Sequence, residues 1–180
     1  DIAKIKMSEV VTLTEHFRCI EELISFSNKL SYNNNLKVLR DQLPKDRLEP
    51  VLEAVFVENG YEETNGQVNK PEAERIVQRL KEMLVDDKYR ETSEDGKTRP
   101  TTFGIISLLG KDQTKCIYKM ITEQISAKEL EDHKIICGDP YVFQGDERDV
   151  ILLSMVKACD QTKPETTIFP YTVSKKEYKQ

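Results

Sequence analysis

Short segments that are apolar throughout alternate along this sequence with segments whose apolar residues recur at helical spacing. Apolar runs occupy 103–108, 135–137 and 150–156, and amphipathic patterns accompany them, most clearly at 73–84 and 116–125. A strand that is apolar on both faces needs cover on both faces, and the intervening helices can supply it. The sequence therefore predicts an α/β fold with a mainly parallel sheet and helices on both faces.

A charged segment, FQGDERD at 143–149, comes directly before the last apolar run. Gly145 would let backbone N–H groups approach an anion without a Cβ in the way, and Glu147 can accept hydrogen bonds from sugar hydroxyls. The alternative is a charged turn that only leads into a strand. The residue types alone leave both interpretations open, because short motifs also match by accident.

A second candidate segment is TLTEHFR at 12–18. We predict a strand over 10–13, then a connection, and then a helix that ends at the three asparagines 33–35. Arg18 follows the predicted strand, and strand ends are where open α/β sheets present ligand-facing groups. An arginine there can stabilise charge on a transferring phosphoryl group, whereas the alternative role is a surface salt bridge.

The pattern of a capping box occurs at Asn69, Pro71 and Glu72. An N-cap asparagine, a proline in the first turn and a glutamate three residues after the cap predict the start of a helix. We assign these residues a structural role.

Two further segments are predicted from local patterns. Residues 55–57 are a strand candidate, and Asn-Gly pairs at 59–60 and 65–66 favour tight turns, so this region is predicted to form a hairpin. The polar stretch 86–99 is predicted to be an exposed loop.

The cysteines are widely spaced and form no C-x-x-C pair, and the chain has only 2 histidines that could join them as metal ligands. Buried free thiols are therefore favoured over metal ligands or disulfides, and we predict no metal site. The four positions are Cys19, Cys116, Cys137 and Cys159.

Charge and hydropathy limit the classes of partner. A net charge of −5 disfavours a surface that is basic all over but allows a local positive groove for nucleic acid. No apolar run approaches the roughly 20 residues of a membrane span, and the N-terminus lacks a signal-peptide pattern. We therefore expect no membrane partner and a cytoplasmic location.

Four segments resemble, in order, those of superfamily 1 helicases of the Upf1-like branch, which includes the nonsense-decay helicases. Residues 143–154 resemble motif V of these enzymes, and 12–18 resemble the leucine-x-x-aromatic-Arg segment that opens their second motor domain. Residues 69–73 match an Asn-x-x-Glu-Ala helix start, and 104–113 are similar to a strand-turn-helix segment that ends in glutamine. The resemblance implies a RecA-like fold.

The resemblance also implies roles at the nucleotide. Arg18 stands where the family's catalytic arginine reaches the γ-phosphate, and Phe17 stands where an aromatic residue packs near the base. Gln144, Gly145 and Glu147 would contact the far side of the same nucleotide.

Further along the chain, the resemblance implies contacts to the backbone of single-stranded DNA or RNA. The candidates are Ser107, Lys111 and Gln113, since N–H groups at a helix start bind phosphate without regard to base. Many relatives carry proline and an aromatic residue where this chain has Leu108 and Leu109, and this is a departure from the family pattern at a position of base stacking.

Two motifs that a complete ATP site needs do not occur. The sequence has no G-x-x-x-x-G-K-[ST] phosphate loop and no Asp-Glu pair after a strand to hold Mg²⁺. We therefore expect ATP with Mg²⁺ to be bound mainly by an N-terminal RecA-like domain of the same polypeptide. Residues 1–180 are expected to be one RecA-like helicase domain 2, truncated before motif VI and inactive alone.

A function from another class fits the same sequence. The chain could be a stand-alone RecA-like interaction module without catalysis, in which 144–149 form a protein-binding turn. An exposed apolar patch near Val55 would favour this module, whereas a positive single-strand footprint beside Ser107 and Gln113 would favour the helicase.

Overall fold

The computed structural model describes four stretches of the chain, which are residues 13–40, 47–63, 68–94 and 97–158. By its internal contacts the chain divides into two compact units, Asp1–Ala54 and Val55–Gln180.

The first unit contains a small strand-helix-strand arrangement. Strand β1 (Glu15–His16) pairs in parallel with β2 (Lys37–Val38), and helix α1 (Glu21–Ser31) connects them. The predicted helix and its end are confirmed, because Asn33 and Asn34 have the positive φ angles of 52° and 60° that stop a helix.

The strand predicted at 10–13 is not seen as such. Residues 10–12 lie outside the described stretches, and Leu13 is not in a strand. The strand observed here, β1, occupies Glu15–His16, which the sequence pattern placed in the connection.

The second unit is organised around a parallel sheet of three strands in the order β6-β5-β7. The central strand is β5 (Phe103–Ser107), with β6 (Ile136–Gly138) on one side and β7 (Val150–Ser154) on the other. Helices α2 (Lys70–Val85) and α4 (Lys111–Gln124) flank it. The predicted α/β fold with parallel strands and flanking helices is confirmed.

Close packing at the centre of this sheet depends on Gly104. A Cβ at this position would lie 2.7 Å from the Cδ1 atom of Ile151 on β7 and 2.7 Å from the Cε1 atom of Phe143. Both distances are far below normal carbon contacts. Glycine therefore allows the Phe143 ring and the neighbouring strand to lie directly against β5.

Helix α2 begins and packs as predicted. The side chain of Asn69 caps it by accepting a hydrogen bond from the Glu72 N–H at 3.1 Å. Its buried face follows the predicted helical spacing and gains one further residue, Met83; the buried set is Ala73, Ile76, Val77, Leu80, Met83 and Leu84.

The stretch predicted as an exposed loop, 86–99, is instead folded. A short helix, α3 (Asp87–Arg90), leads into strand β3 (Glu91–Glu94), which pairs antiparallel with β4 (Lys97–Pro100). Asp95 and Gly96 lie outside the described residues. The loop prediction was wrong because charge density hid a hairpin, which is attached to the core by the buried Tyr89 side chain.

The hairpin predicted near Val55 is not found in the described residues. Val55 and Phe56 are outside any strand and are 47% and 80% exposed. A turn does form at Gly60, whose N–H donates to the carbonyl of Val57 at 2.9 Å. The second predicted turn, at 65–66, lies outside the described residues.

A further helix was missed, α5 (Ala127–Asp132). It begins with a complete capping box: the Ser126 hydroxyl accepts from the Glu129 N–H, and the Glu129 carboxylate accepts from the Ser126 N–H at 3.0 Å. The Ser-x-x-Glu pattern was the available signal.

Cys19, Cys116 and Cys137 are free thiols, as predicted, and they are partly rather than fully buried. Burial raises the pKa of the Cys137 thiol to about 12, so this group stays protonated at neutral pH. Cys159 lies outside the described residues. Among the helices that the structure describes, none combines the length and the apolar character needed to cross a bilayer.

We predict that Gly104→Ala destabilises the second unit by about 1–2 kcal/mol, because the added methyl group forces Phe143 and Ile151 to shift. Urea unfolding measures the change. In a Phe143→Leu background the same substitution should cost less, since the ring it collides with is gone. An equal cost in both backgrounds would show that this collision is not the cause.

Candidate functional site

The bend after β1 carries Phe17 and Arg18. Phe17 is 64% exposed, and the Arg18 side chain is also exposed. Backbone contacts hold the bend: the Cys19 N–H donates to His16 Nε2 at 3.0 Å, and Arg40 Nη1 donates to the Arg18 carbonyl at 2.6 Å. The bend is therefore fixed while both predicted nucleotide-contacting side chains face solvent.

The loop at 139–149 connects β6 to β7 through three successive turns. The N–H groups of Val142, Gln144 and Asp146 each donate to the carbonyl three residues earlier, at 3.0–3.2 Å. Gly145 follows with φ 85°, a left-handed conformation that favours glycine, and a Cβ there would meet nothing within 4 Å. The backbone conformation at this position thus favours glycine, and there is open space around it.

Arg148 fastens the charged half of this loop to the protein. Its Nε donates to the Lys134 carbonyl at 2.9 Å, and its Nη1 donates to Asp146 Oδ1 at 2.5 Å and to the Glu147 carbonyl at 2.6 Å. Only 9% of the Arg148 side chain is exposed. The hydrogen bond from Arg148, followed by one from the Glu147 N–H, lowers the pKa of the Asp146 carboxyl.

Asp149 forms the second anchor. Its carboxylate accepts two hydrogen bonds from the Arg99 guanidinium, at 2.6 and 2.8 Å, and two from the Thr102 N–H and hydroxyl, both at 2.8 Å. Burial by itself would raise the pKa of Asp149, but the bonds from Arg99 and Thr102 outweigh it, so the pKa is lowered. The loop is thus tied to β4 and to the start of β5.

Sequence reasoning missed Arg148 and Asp149 as structural anchors. The available signal was their position, since charged residues directly before a buried strand must be paired to lie beside the core. Gln144, Gly145 and Glu147 lie between Phe143, which packs on the sheet, and the Arg148 anchor, and all three are exposed. The loop therefore presents to solvent the residues predicted to contact a nucleotide.

The residues predicted to contact nucleic acid lie at the carboxyl end of β5. Ser107 is 1% exposed, and its hydroxyl donates to the Leu109 carbonyl at 2.7 Å. Lys111 is exposed at the first position of α4. Of the three candidates, Lys111 is the one whose side chain faces solvent, since Gln113 is fully buried.

Gln113 binds other parts of the protein with both ends of its amide. Its Oε1 accepts from the Asn69 N–H at 2.9 Å, while its Nε2 donates to the Asn69 carbonyl at 3.2 Å and to the Ser154 hydroxyl at 3.0 Å. With its polar atoms used in this way, the buried Gln113 side chain joins α4 to α2 and β7.

This cluster also corrects the predicted capping box at α2. The Glu72 carboxylate does not return to the Asn69 N–H, because that N–H is taken by Gln113. It accepts instead from the N–H groups of Met155 and Val156, at 2.7 and 2.9 Å. Burial raises the pKa of Glu72, and these hydrogen bonds reduce the rise without cancelling it.

Within the second unit, the residues predicted to contact a nucleotide and those predicted to contact nucleic acid lie at opposite ends of the sheet. The register of β5 on β7 pairs Phe103 with Val150 and Ser107 with Ser154. Four residues of parallel strand span about 13 Å. The structure therefore groups Gln144, Gly145 and Glu147 near the anchored amino end, while Ser107, Lys111 and Gln113 meet at the carboxyl end.

The described residues differ in how well they suit Mg²⁺ and ATP. No group of three or more His, Cys, Asp or Glu side chains in the described stretches is arranged to hold a metal ion. The chemistry on offer is an exposed guanidinium at Arg18 and, separately, a left-handed glycine beside the carboxylate of Glu147. These groups fit contacts to phosphate and sugar, and a metal would need ligands from elsewhere.

Comparison with known proteins finds a matching family and similar proteins. Residues 2–169 match the AAA_12 family, which is described as an AAA domain. Over 163 residues the chain is 27% identical to the Danio rerio protein named "Putative helicase mov-10-B.1". That alignment covers 83% of this chain and 16% of the relative, so the chain spans about one sixth of its length.

We predict that Asp149→Asn destabilises the second unit by about 1–3 kcal/mol at neutral pH, because it weakens charge-assisted hydrogen bonds from Arg99 and Thr102. Since the pKa of Asp149 is lowered on folding, its contribution is present above the ordinary value of 3.8 and is lost as the pH falls through the folded value. Urea unfolding at several pH values should show the two proteins converging in acid.

The matched control is Asp87→Asn in α3, where the carboxylate is 94% exposed and its closest Arg90 contact is 3.5 Å. An exposed pair of this kind contributes about 1 kcal/mol or less. An equal loss of stability in the two variants, or a difference independent of pH, would contradict the anchoring role of Asp149.

Proposed function

The chain belongs to the AAA_12 family and is a superfamily 1 helicase domain of the Upf1-like branch, and from this premise we propose that it is the C-terminal motor domain of an ATP-dependent helicase or translocase. It supplies the far side of the ATP site and part of the track for single-stranded DNA or RNA. One observation carries the proposal: the family match spans both the Arg18 bend and the 143–149 loop. In that loop Gly145 has a left-handed backbone conformation, and no atom lies within 4 Å of where its Cβ would be.

In this proposal Arg18 is the catalytic residue. It meets charge that develops on the γ-phosphate, while Phe17 packs near the base. The support is geometric, since the bend is fixed by backbone hydrogen bonds and both side chains are exposed. A guanidinium carried on a fixed bend can stabilise charge on the transferring phosphoryl group.

The loop residues have a binding role. Gly145 lets the backbone approach the nucleotide, Glu147 accepts hydrogen bonds from the sugar, and Gln144 contacts it from the adjoining turn. Arg148 and Asp149 hold the loop in place through their own hydrogen bonds and so are positioning residues. ATP with Mg²⁺ is bound mainly by the N-terminal RecA-like domain of the same polypeptide, which is the partner this domain closes upon.

The proposed strand contact lies at the carboxyl end of β5. Lys111 pairs with a phosphate, the Ser107 turn and the first N–H groups of α4 approach the backbone, and Gln113 holds that turn from within. Closure of this domain on its partner domain, followed by opening, would shift its grip on the strand in each ATP cycle. The cytoplasm is the proposed location, and these 180 residues alone are proposed to be inactive as an ATPase.

A second function is favoured by one specific observation. Val55, Phe56 and Tyr61 are 47%, 80% and 55% exposed. Exposed apolar side chains so close in sequence are what a protein-interaction module would present. The two functions are separated by strand binding, which the module does not require.

We predict that Arg18→Ala in the full-length protein lowers kcat by roughly 10³-fold or more and changes the affinity for ATP far less, because the arginine acts on charge specific to the transition state. Arg18→Lys should fail similarly, since a compact ammonium cannot reproduce the planar guanidinium. Steady-state ATPase kinetics with nucleic acid present provide the measurement.

Arg90→Ala is the control for this experiment, because Arg90 is exposed and its closest carboxylate contact, to Asp87, is 3.5 Å. It should retain the wild-type kcat. Thermal melts check that each variant is folded. A near-normal kcat in well-folded Arg18→Ala would return Arg18 to the role of a surface residue.

We further predict that the wild-type protein binds single strands without base preference and that binding weakens steeply with salt. Lys111→Ala should reduce the slope of log K against log salt by about 0.7, the value for one phosphate contact on a single strand. Lys119→Ala, which removes an exposed lysine from the same helix, is the matched control. Equal slopes for the two variants would count against a phosphate contact at Lys111.

A further inference from the structure

The segment directly after β7 has an unusual backbone. The Lys157 N–H donates to the Met155 carbonyl at 2.7 Å, which closes a three-residue turn, and Val156 at its centre has φ 67°. A positive φ is uncommon for any residue with a side chain and a genuine outlier for a β-branched one. The Val156 side chain is nevertheless completely buried. We call residues 155–157 the β7 turn.

Two side chains at the start of α2 hold the β7 turn. Glu72 accepts from the N–H groups of Met155 and Val156, at 2.7 and 2.9 Å. Asn69 Nδ2 donates to the Val156 carbonyl at 3.0 Å. Both polar backbone groups of the strained residue are therefore bound by side chains, and neither bond is needed to form the helix.

The same two residues also contact the start of α4, Asn69 through its backbone and Glu72 through its carboxylate, which lies 3.5 Å from Gln113 Nε2. Asn69 exchanges two backbone hydrogen bonds with the Gln113 amide, and Gln113 also donates to the Ser154 hydroxyl. Ser154 in turn accepts from the Leu108 N–H through its carbonyl, at 2.9 Å, and its hydroxyl bonds to Glu72. One buried polar cluster thus supports the β7 turn and the Ser107–Lys111 segment together.

The cluster is costly for stability. The groups that donate to Glu72 are neutral: two backbone N–H groups, a hydroxyl and, at 3.5 Å, the Gln113 amide. Burial raises the pKa of Glu72, so the charged form is disfavoured where it lies. Strained backbone and perturbed carboxylates cluster at functional sites, where surrounding contacts over-determine the geometry. Both features occur here at the carboxyl edge of the parallel sheet, where open α/β sheets bind ligands.

We infer that Glu72 and Asn69 are positioning residues for single-strand binding: they hold the β7 turn and, through Gln113 and Ser154, set the position of the Ser107–Lys111 segment beside it. The inference rests on the proposed function, since it names the residues that shape the strand contact. It replaces the purely structural role that a capping box would give them.

The test compares two substitutions that remove the same charge from α2 in the full-length protein. Glu72→Gln cannot accept from both backbone N–H groups, while Glu74→Gln alters an exposed carboxylate whose closest contact is Lys70 at 3.9 Å. Loss of a negative charge alone should leave binding to a polyanion equal or tighter. We therefore expect Glu74→Gln to bind a labelled polyuridylate at least as well as wild type, and Glu72→Gln to bind it about tenfold more weakly.

A second variant separates positioning from helix formation. Serine is as good an N-cap as asparagine, so Asn69→Ser preserves the cap of α2 but lacks the amide that donates to Val156. It should also weaken strand binding, with a smaller loss than Glu72→Gln. Affinities are measured well below the melting temperature of each variant, where a purely structural defect leaves the folded fraction and the affinity unchanged.

The outcomes distinguish this inference from the proposed function. If wild type shows no salt-dependent strand binding, the proposed function fails. If wild type binds and both Glu72→Gln and Asn69→Ser bind as tightly as Glu74→Gln, the inference alone fails. Weaker binding by Asn69→Ser supports it even if Glu72→Gln does not fold.

Discussion

Parallel pairing between β5 and β7 is the constraint on which the rest of the second unit depends. Its five-residue register, from Phe103 with Val150 to Ser107 with Ser154, fixes both ends of the sheet at once. The charged loop lies at one end of the sheet, and the buried polar cluster lies at the other. Because Gly104 lets Phe143 and β7 lie against β5, the loop cannot move away from the sheet without exposing this contact.

The two ends of the sheet satisfy their charges in different ways. At the amino end Asp149 pairs with a guanidinium, which lowers its pKa and makes the carboxylate a stabilising anchor. At the carboxyl end Glu72 is bound by neutral groups, and burial raises its pKa. The first arrangement gains stability from its charge, whereas the second accepts a cost to hold the backbone of Val156 in a left-handed conformation. The carboxyl end of the sheet is therefore where the protein holds a strained backbone conformation at a cost in stability.

Local pattern was enough to predict the regular parts of this fold. Phe103–Ser107 formed a strand because an apolar run is stable only between covering layers. Helix α2 begins directly after Asn69 because the Asn69 side chain caps the N–H of Glu72. Pattern failed where partners are distant in sequence. The β3–β4 hairpin appeared polar, yet Arg99 is paired with Asp149, 50 residues away.

By itself, the sequence determined the α/β class, the main helix and the helicase resemblance, because each depends on neighbouring residues or on a short motif. Only the tertiary structure decided what Glu72 and Gln113 do. Within their own segments they read as a capping glutamate and a strand-contacting amide, but burial removes water from both, and each must then bind whichever polar group lies nearest. Those groups lie in β7, just after it and at the start of α2, each more than 40 residues away along the chain, and no local pattern encodes that distance.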